Sequence, residues 1–263
     1  MSSCSKSDES PVKNIVEEPT IKKMNTLLFN PGSLSYNQSE LTFNFEYDNN
    51  LRLTKKIGGF LTLSSSTGYN GYFTNKIYSL LIYSGQMVTV EDFSTSTDFT
   101  VPINTKYLTL NNLHQITTKE IPNNNNSIFF KKLLYNYLNN KINEIKTTFP
   151  NMPYDSTDPN DYKLTYLEKF YFDTNGNLTK SEFFEQRNGI NIGEKIIRTF
   201  ENYDNSFNPC KRLKLLDEFF YRSLSNNNYS TYNEVHYQNS ALGIATTTNW
   251  TFNYSVNGQI IVN

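Results

Sequence analysis

Apolar and polar residues alternate along much of the chain, and the alternation begins at Leu41. In Leu41–Tyr47 every second residue is apolar, and the residues between them are Thr, Asn and Glu. This period of two is typical of a half-buried strand, because successive side chains of a strand point to opposite faces. Similar segments recur up to the C-terminus. The pattern therefore predicts a mainly β fold.

Three segments share a pattern in which an aromatic strand, an Asn-rich turn and a second strand follow one another. They align without a gap and are Phe45–Lys56, Phe170–Ser181 and Phe252–Asn263. The turns of the last two contain residues suited to a tight reversal, namely Asp173, Asn175, Gly176, Asn257 and Gly258. Asn-Gly accepts the positive φ values that a tight hairpin requires. We therefore predict an extended or curved antiparallel sheet of repeated hairpins.

One segment, near residues 128–148, has the apolar spacing of a helix. Its apolar residues recur every three or four positions and are Leu134, Leu138, Ile142, Ile145 and Phe149. Ser127 is a suitable N-cap, and Pro150 would end the helix. The spacing predicts one long amphipathic helix, and we expect its apolar stripe to pack against the sheet rather than to lie on a membrane.

Polar stretches set the expected domain boundaries. Residues 1–40 are predicted to be an N-terminal tether or linker, and residues 41–263 the hairpin-repeat domain. The Pro- and Asp-rich residues 150–162 are the candidate boundary within that domain. The stretch Leu213–Leu224 fits neither period cleanly, so the pattern leaves helix and strand both open there.

Composition narrows the classes of partner. The chain has 24 basic and 25 acidic residues, so no overall field would attract it to nucleic acid. Its 19 Tyr and 19 Phe residues suit pleated surfaces on which aromatic rings pack across neighbouring strands. No run of 18 or more apolar residues occurs that would predict a membrane-spanning helix.

The N-terminal segment Met1–Ser10 places two small residues before Cys4 and a polar stretch after it. This arrangement resembles the cleavage site of a bacterial lipoprotein, and the Ser-Lys-Ser-Asp-Glu stretch is similar to signals in surface-exposed Bacteroidetes lipoproteins. The resemblance implies lipidation of Cys4, membrane contact through that anchor only, and an outer-membrane, surface-exposed location. The alternative is an ordinary polar N-terminus. Cys210 is expected to be free and partly buried.

The pattern at Phe170–Thr179 resembles the YD repeat of bacterial surface and Rhs-type proteins. The C-terminal part of the chain looks like a group of uncharacterised Flavobacterium-type lipoproteins with YD-like hairpins. This resemblance implies hairpins that build an extended antiparallel sheet, and it implies no known reaction. The first copy lacks the turn Gly and the last has Ser255 in place of Asp, so we expect a curved sheet rather than a closed Rhs shell.

No motif predicts a metal site or a cofactor. Asp173, Asn175 and Asn177 have the spacing that begins a calcium loop, but Phe184 occupies the position of the bidentate Glu. A hairpin turn explains the same residues. His114 and His236 have no Cys or His at ligand spacing, so a zinc site is not predicted.

No catalytic residue is predicted either, and the sequence favours an envelope-anchored, non-enzymatic protein. Its sheet would serve as a binding or interaction surface for an envelope protein or a glycan. The alternative is an extracytoplasmic glycan-acting hydrolase, which would need two carboxylates about 5–10 Å apart in a sheet concavity. Acidic pairs such as Asp217 with Glu218, or Glu182 with Glu185, are candidates if folding brings them together. A third hypothesis is a purely structural partner of another envelope protein.

Overall fold

The computed structural model describes residues 20–26, 41–65, 68–98, 100–101, 105–122 and 127–262. In these ranges 14 strands form one antiparallel sheet, and each strand pairs with its neighbours in the sequence. The strands are β1 (Lys23–Asn25), β2 (Thr42–Tyr47), β3 (Leu53–Ser65), β4 (Gly68–Ser84), β5 (Met87–Ser94), β6 (Lys106–Leu110), β7 (Ile116–Ile121), β8 (Lys131–Leu138), β9 (Lys141–Thr148), β10 (Leu164–Phe172), β11 (Leu178–Arg187), β12 (Ile190–Tyr203), β13 (Tyr229–Gln238) and β14 (Ala241–Asn249). The predicted mainly β fold is confirmed.

Strand β1 lies in the stretch that the sequence assigned to a linker. It pairs with β2, and Met24 lies opposite Phe43. Both of these side chains are buried, so residues 20–26 are part of the packed sheet. The remaining residues of 1–40, Cys4 among them, lie outside the described residues. At the other candidate boundary, β9 and β10 pair directly on either side of residues 150–162, so the sheet continues across it.

The long helix predicted near residues 128–148 is wrong, because this segment forms the β8–β9 hairpin. Asn139 and Asn140 both adopt positive φ, at 51° and 62°, which is the conformation of a two-residue hairpin turn. A strand also distributes the apolar residues differently from a helix. Ile142 and Ile145 are buried, whereas Leu138 is 63% exposed. The Asn-Asn pair was the informative signal, and the three-four spacing was a coincidence.

The residues between β12 and β13 fill the inside of the sheet. We call Pro209–Leu224 the core segment. It contains two 3₁₀ turns, Pro209–Leu213 and Asp217–Phe219, and one short helix, α1 (Phe220–Ser223). Its buried apolar side chains are Cys210, Leu213, Leu215, Leu216 and Phe219. The mixture of two kinds of short helix explains why neither a helical nor a strand period fitted these residues.

Contacts of the core segment show how strongly the sheet curves. The ring of Phe219 lies 5.7 Å from that of Phe43 on β2. The ring of Tyr221, only two residues further on, lies 5.7 Å from that of Phe200 on β12. Ten strand spacings separate β2 from β12, which would be about 48 Å in a flat sheet. The sheet must therefore bend around the core segment, as the curved arrangement predicted from the sequence requires.

One buried amide, that of Asn208, holds both ends of the core segment. Its side-chain oxygen accepts a hydrogen bond from the backbone N–H of Cys210 at 2.9 Å and caps the first 3₁₀ turn. Its Nδ2 donates to the carbonyl oxygen of Ser225 at 2.8 Å and also to that of Arg222. The guanidinium of Arg222 in turn lies 4.3 Å from the ring centre of Trp250. Asn208 thus links the two ends of the core segment to each other, and Arg222 attaches the segment to the residue that follows β14.

Four five-residue turns share one hydrogen-bond scheme, and they are Asp48–Arg52, Asn111–Gln115, Asp173–Asn177 and Ser255–Gln259. In each, the N–H of the first residue donates to the carbonyl of the fifth, at 2.8–3.0 Å. The first side chain accepts from the N–H of the fifth residue, and the fourth residue has positive φ. This is a type I turn followed by a bulge residue. The sequence predicted three of these turns and missed Asn111–Gln115, in which His114 occupies the glycine position.

The glycines of two matched turns differ in their surroundings, which gives a paired stability test. An added Cβ at Gly176 would lie 2.4 Å from Nδ2 of Asn226, whereas nothing lies within 4 Å of an added Cβ at Gly258. Both glycines have positive φ, which costs other residues roughly 1–2 kcal/mol. We expect Gly258→Ala to lower the free energy of unfolding by about 1 kcal/mol and Gly176→Ala by about 2–3 kcal/mol. Urea denaturation measures both, and equal losses would show that the Asn226 contact is unimportant.

Candidate ligand-binding site

The carboxylates of the core segment are held by lysines of the sheet. Asp217 accepts hydrogen bonds from Lys106 on β6, at 2.8 Å, and from Lys119 on β7. Glu218 pairs with Lys56 on β3. Burial alone would raise the pKa of Asp217, but attraction to the two lysines outweighs burial and lowers it. This acidic pair therefore ties three strands to the core segment and is not arranged as a catalytic acid and base.

A second polar cluster lies across β10, β12 and β13, and no local pattern of residues predicts it. Arg198 donates to Oε1 of Glu168 at 3.2 Å and to Oε2 of Glu234 at 2.8 Å. The hydroxyl of Tyr221, in the core segment, also donates to Glu168 at 2.8 Å. Two carboxylates thus converge inside the curved sheet, as the hydrolase hypothesis requires, but the guanidinium of Arg198 lies between them.

The surroundings of Glu234 favour its charged form. Burial alone would raise the pKa of Glu234, but hydrogen bonds from Tyr232 and His236 and the charge of Arg198 lower it. The hydrogen bond to Glu234 in turn raises the pKa of His236. A glycosidase acid needs a carboxyl whose pKa is raised so that it keeps its proton. Glu234 has the opposite shift, so it does not fit the role of such an acid.

Metal binding finds no support in the described ranges, where no group of three His, Cys, Asp or Glu residues could hold an ion. His114 lies in the turn Asn111–Gln115, and His236 is hydrogen-bonded to Glu234 at 2.8 Å. Asp173 accepts from the N–H of Asn177 at 2.8 Å, which accounts for the calcium-like spacing as turn chemistry. The same turn docks on the chain after the core segment, because Nδ2 of Asn226 donates to the carbonyl of Asn175 at 2.6 Å.

Glu182 and Glu185, the other acidic pair of interest, are separated by a strand irregularity. The register of β11 against β12 shifts between Phe184 and Gln186. Glu185 accepts from Arg187 at 3.0 Å and from the backbone N–H of Glu194 at 3.2 Å. Gly193 leaves room for this carboxylate, since an added Cβ there would lie 2.5 Å from it. A bulge of this kind re-aims side chains, and here it lies at the edge of a hollow lined by Phe184 and Glu185.

This hollow has a cavity volume of about 620 Å³. Its lining residues come from β11, β12, β13 and the turn before β14, and they are Phe184, Glu185, Asn191, Ile192, Gly193, Glu194, Lys195, Ile197, Tyr237, Asn239 and Ser240. We call it the β11–β13 hollow. Phe184 and Tyr237 both lie opposite Lys195 in the sheet register, so an aromatic residue stands on each side of that lysine. The volume falls within the range of small-molecule sites in proteins.

The β11–β13 hollow combines apolar walls with uncharged polar groups. Phe184, Tyr237 and Ile197 provide the apolar surface, while Asn191 and Asn239 provide amides at the rim. Its charged residues have partners close by. Lys195 lies 4.0 Å from Glu182, and Glu185 is bound by Arg187. The arrangement suits a neutral ligand that has one apolar face and several hydroxyl groups.

A second cavity, of about 480 Å³, lies where the turns Asp48–Arg52 and Asn111–Gln115 meet the core segment. Arg52 forms an ion pair with Asp48 at 2.7 Å and lies over the ring of Tyr83 at 4.4 Å. Arg212 donates to the carbonyl of Leu51 at 3.1 Å. These contacts attach the core segment to the turns, so we assign this cavity to packing.

Comparison with known proteins identifies the fold class and no family. No family model and no curated protein matches the chain. A porin-like protein from Bacteroides uniformis has a TM-score of 0.50 and 12% identity, over 93% of this chain and 89% of that chain. A porin-like protein from Bacteroides vulgatus has a TM-score of 0.44 and 12% identity, over 87% of each chain. At this identity the first comparison shows a similar fold and nothing more. The helical elements of the described ranges are all far too short to span a bilayer.

Proposed function

We propose that the chain is an envelope-associated, non-enzymatic binding protein whose ligand site is the β11–β13 hollow. The observation that carries this proposal is the hollow itself, a cavity of about 620 Å³ lined by Phe184, Tyr237 and the residues around the bulge and Gly193. The fold supports an envelope location, because it is similar to that of a porin-like protein from a Bacteroides species. Binding is favoured over hydrolysis because the converging carboxylates Glu168 and Glu234 are occupied by Arg198.

The ligand class follows from the lining of the hollow. A sugar residue presents a face of C–H groups that can lie on an aromatic ring, and hydroxyl groups that hydrogen-bond amides and carboxylates. Tyr237 offers such a ring, and Asn191, Asn239 and Glu194 offer hydrogen-bonding groups. The ring of Phe184 has the ammonium of Lys195 over it, 5.3 Å from the ring centre. Because the charged residues have partners, a neutral glycan fits better than a charged one. The ligand in this proposal is therefore a neutral glycan.

A glycan screen followed by calorimetry tests the site. We expect Tyr237→Ala to weaken binding of a neutral oligosaccharide at least about tenfold, which corresponds to about 1.4 kcal/mol. Tyr107→Ala removes an exposed tyrosine from β6 and should leave the affinity unchanged. Failure of every neutral glycan to bind, or equal binding by the Tyr237→Ala variant, would reject the hollow as the site. Release of new reducing ends would instead favour the hydrolase hypothesis.

In this proposal, a lipid attached to Cys4 holds the protein in the envelope. Acylation of Cys4 would hold the domain at the outer membrane and leave the sheet in water, because a lipidated terminus anchors a protein without inserting it. Labelling cells with a palmitate analogue should mark the protein from the full-length gene and should fail for Cys4→Ser. Cys210→Ala is the control, since Cys210 is buried and should not affect labelling. Undiminished labelling of Cys4→Ser would exclude the anchor.

A further inference from the structure

The two edges of the sheet are protected very differently. Edge strand β1 has three residues, and the N–H of its Asn25 donates to the carbonyl of Val262 at 2.8 Å. Edge strand β14 has nine residues, and all of them except Thr248 are exposed. Among the described residues, no backbone group pairs with β14 from the side away from β13. The β14 edge therefore presents a row of backbone donors and acceptors to solvent.

The residues of β14 lack the usual protection against strand pairing. Natural edge strands are commonly guarded by lysines, prolines or inward-pointing charges. No charged residue and no proline occurs between Gln238 and the C-terminal Asn263. The register shift against β13 leaves Gly243 and Ile244 as a bulge, but Ala245–Asn249 pairs regularly with Thr231–Val235. A regular, neutral stretch of edge strand is thus available.

This regular stretch is complementary to itself. In an antiparallel pair with a two-fold axis at Thr247, each Thr247 would face its own copy, and Thr246 would face Thr248 of the second copy. Threonine has a high preference for strands, and Thr–Thr pairs across strands are favourable. A charged residue at or beside the axis would lie close to its own copy and oppose pairing, and this stretch contains none.

We propose that β14 pairs with β14 of a second copy of this chain, antiparallel and centred on Thr247. The pairing would join two curved sheets into one continuous sheet across a two-fold axis, and it is independent of the β11–β13 hollow. Five paired residues bury far less surface than the roughly 800 Å² per partner of a stable complex. We therefore expect a weak dimer that forms as concentration rises.

Sedimentation of the full chain in a Cys4→Ser background tests the pairing. Between about 10 µM and about 1 mM, a range that covers weak affinities, the mass should rise from 30.5 kDa towards twice that value. Thr247→Lys places two lysines opposite each other at the axis and should keep the chain monomeric throughout. Val256→Lys is the control, because Val256 is fully exposed in the same uncharged run but outside β14.

A cross-link provides a second measurement that does not depend on the stability of a lysine variant. Opposed residues of an antiparallel pair have Cα atoms about 4.5–5.5 Å apart, within the range of a disulfide. Thr247→Cys should therefore form a disulfide-linked dimer much faster than Val256→Cys. A chain that stays monomeric at every concentration would overturn the proposal. So would a dimer that survives Thr247→Lys, equal cross-linking at the two positions, or pairing of β14 only with an unrelated protein.

Discussion

Replacing Phe219 by alanine is expected to lower the free energy of unfolding by about 3–5 kcal/mol, the usual cost of deleting a buried phenylalanine ring. Phe219 is 3% exposed and lies inside the curved sheet, against β2. Its ring packs edge-on against Phe43 and Phe45 of β2, with centres 5.7 and 5.9 Å away. The substitution would leave a cavity where the core segment meets the N-terminal strands.

Thermal and urea denaturation measure this effect. For a chain of this size, each kcal/mol corresponds to about 2–4 °C, so the melting temperature should fall by roughly 6–20 °C. Phe207→Ala is the matched control, because Phe207 precedes the core segment and is 46% exposed. Its loss should change stability by no more than about 0.5 kcal/mol. Similar losses for both variants would mean that the core segment does not support the sheet.

Replacing Arg198 by methionine should be comparably destabilising at neutral pH, by about 3–5 kcal/mol. The side chains of Glu168 and Glu234 are only 12% and 24% exposed, and both carboxylates are bound by Arg198. Removing the guanidinium would leave two partly buried negative charges near each other. Methionine keeps most of the packing of the arginine stem, so the loss measures mainly the charge interaction.

The pH dependence of this variant has a definite sign. The folded-state pKa of Glu234 is lowered, so the ionised side chain stabilises the folded state. This stabilisation is fully present above the unfolded pKa of about 4.3, and it is lost as the pH falls through the folded-state pKa. In Arg198→Met, Glu234 keeps the hydrogen bonds from Tyr232 and His236 but loses the attraction of Arg198, so the variant should differ less from the parent at about pH 3 than at pH 7. Arg187→Met, at a more exposed pair, should cost less than about 1 kcal/mol. A loss for Arg198→Met that is equal at both pH values would contradict the charge explanation.

The sequence predicted those strands and turns whose formation depends on residues that are close together in the chain. Alternation identified β2, and Asn-Gly identified the turn at Asp173–Asn177, because both depend on neighbouring residues. The turn at Asn111–Gln115 was missed because His114 takes the positive-φ position in place of glycine and because the turn lies outside the three aligned segments. The β8–β9 hairpin was mistaken for a helix because its apolar residues happen to match a helical spacing.

The core segment and the candidate site depend on contacts that local patterns do not encode. Asp217 meets Lys106 and Lys119 across 111 and 98 residues of chain. The β11–β13 hollow depends on a register shift beside Phe184 and on the room that Gly193 leaves for Glu185. A register shift is set by the pairing of whole strands, so single-residue preferences do not reveal it. Lipidation of Cys4 stays a prediction.

The position of the core segment in the chain has a consequence for biosynthesis. Residues Pro209–Leu224 are made after the first twelve strands, yet they supply the packing partners of β2, β8 and β10. Until they emerge, the nascent chain holds a long aromatic surface with nothing to cover it, and such surfaces are prone to aggregation. Contacts that close so late in translation also fold slowly, because they join distant residues. We therefore expect the growing polypeptide to need a chaperone, or to be kept unfolded, until its last quarter has been synthesised.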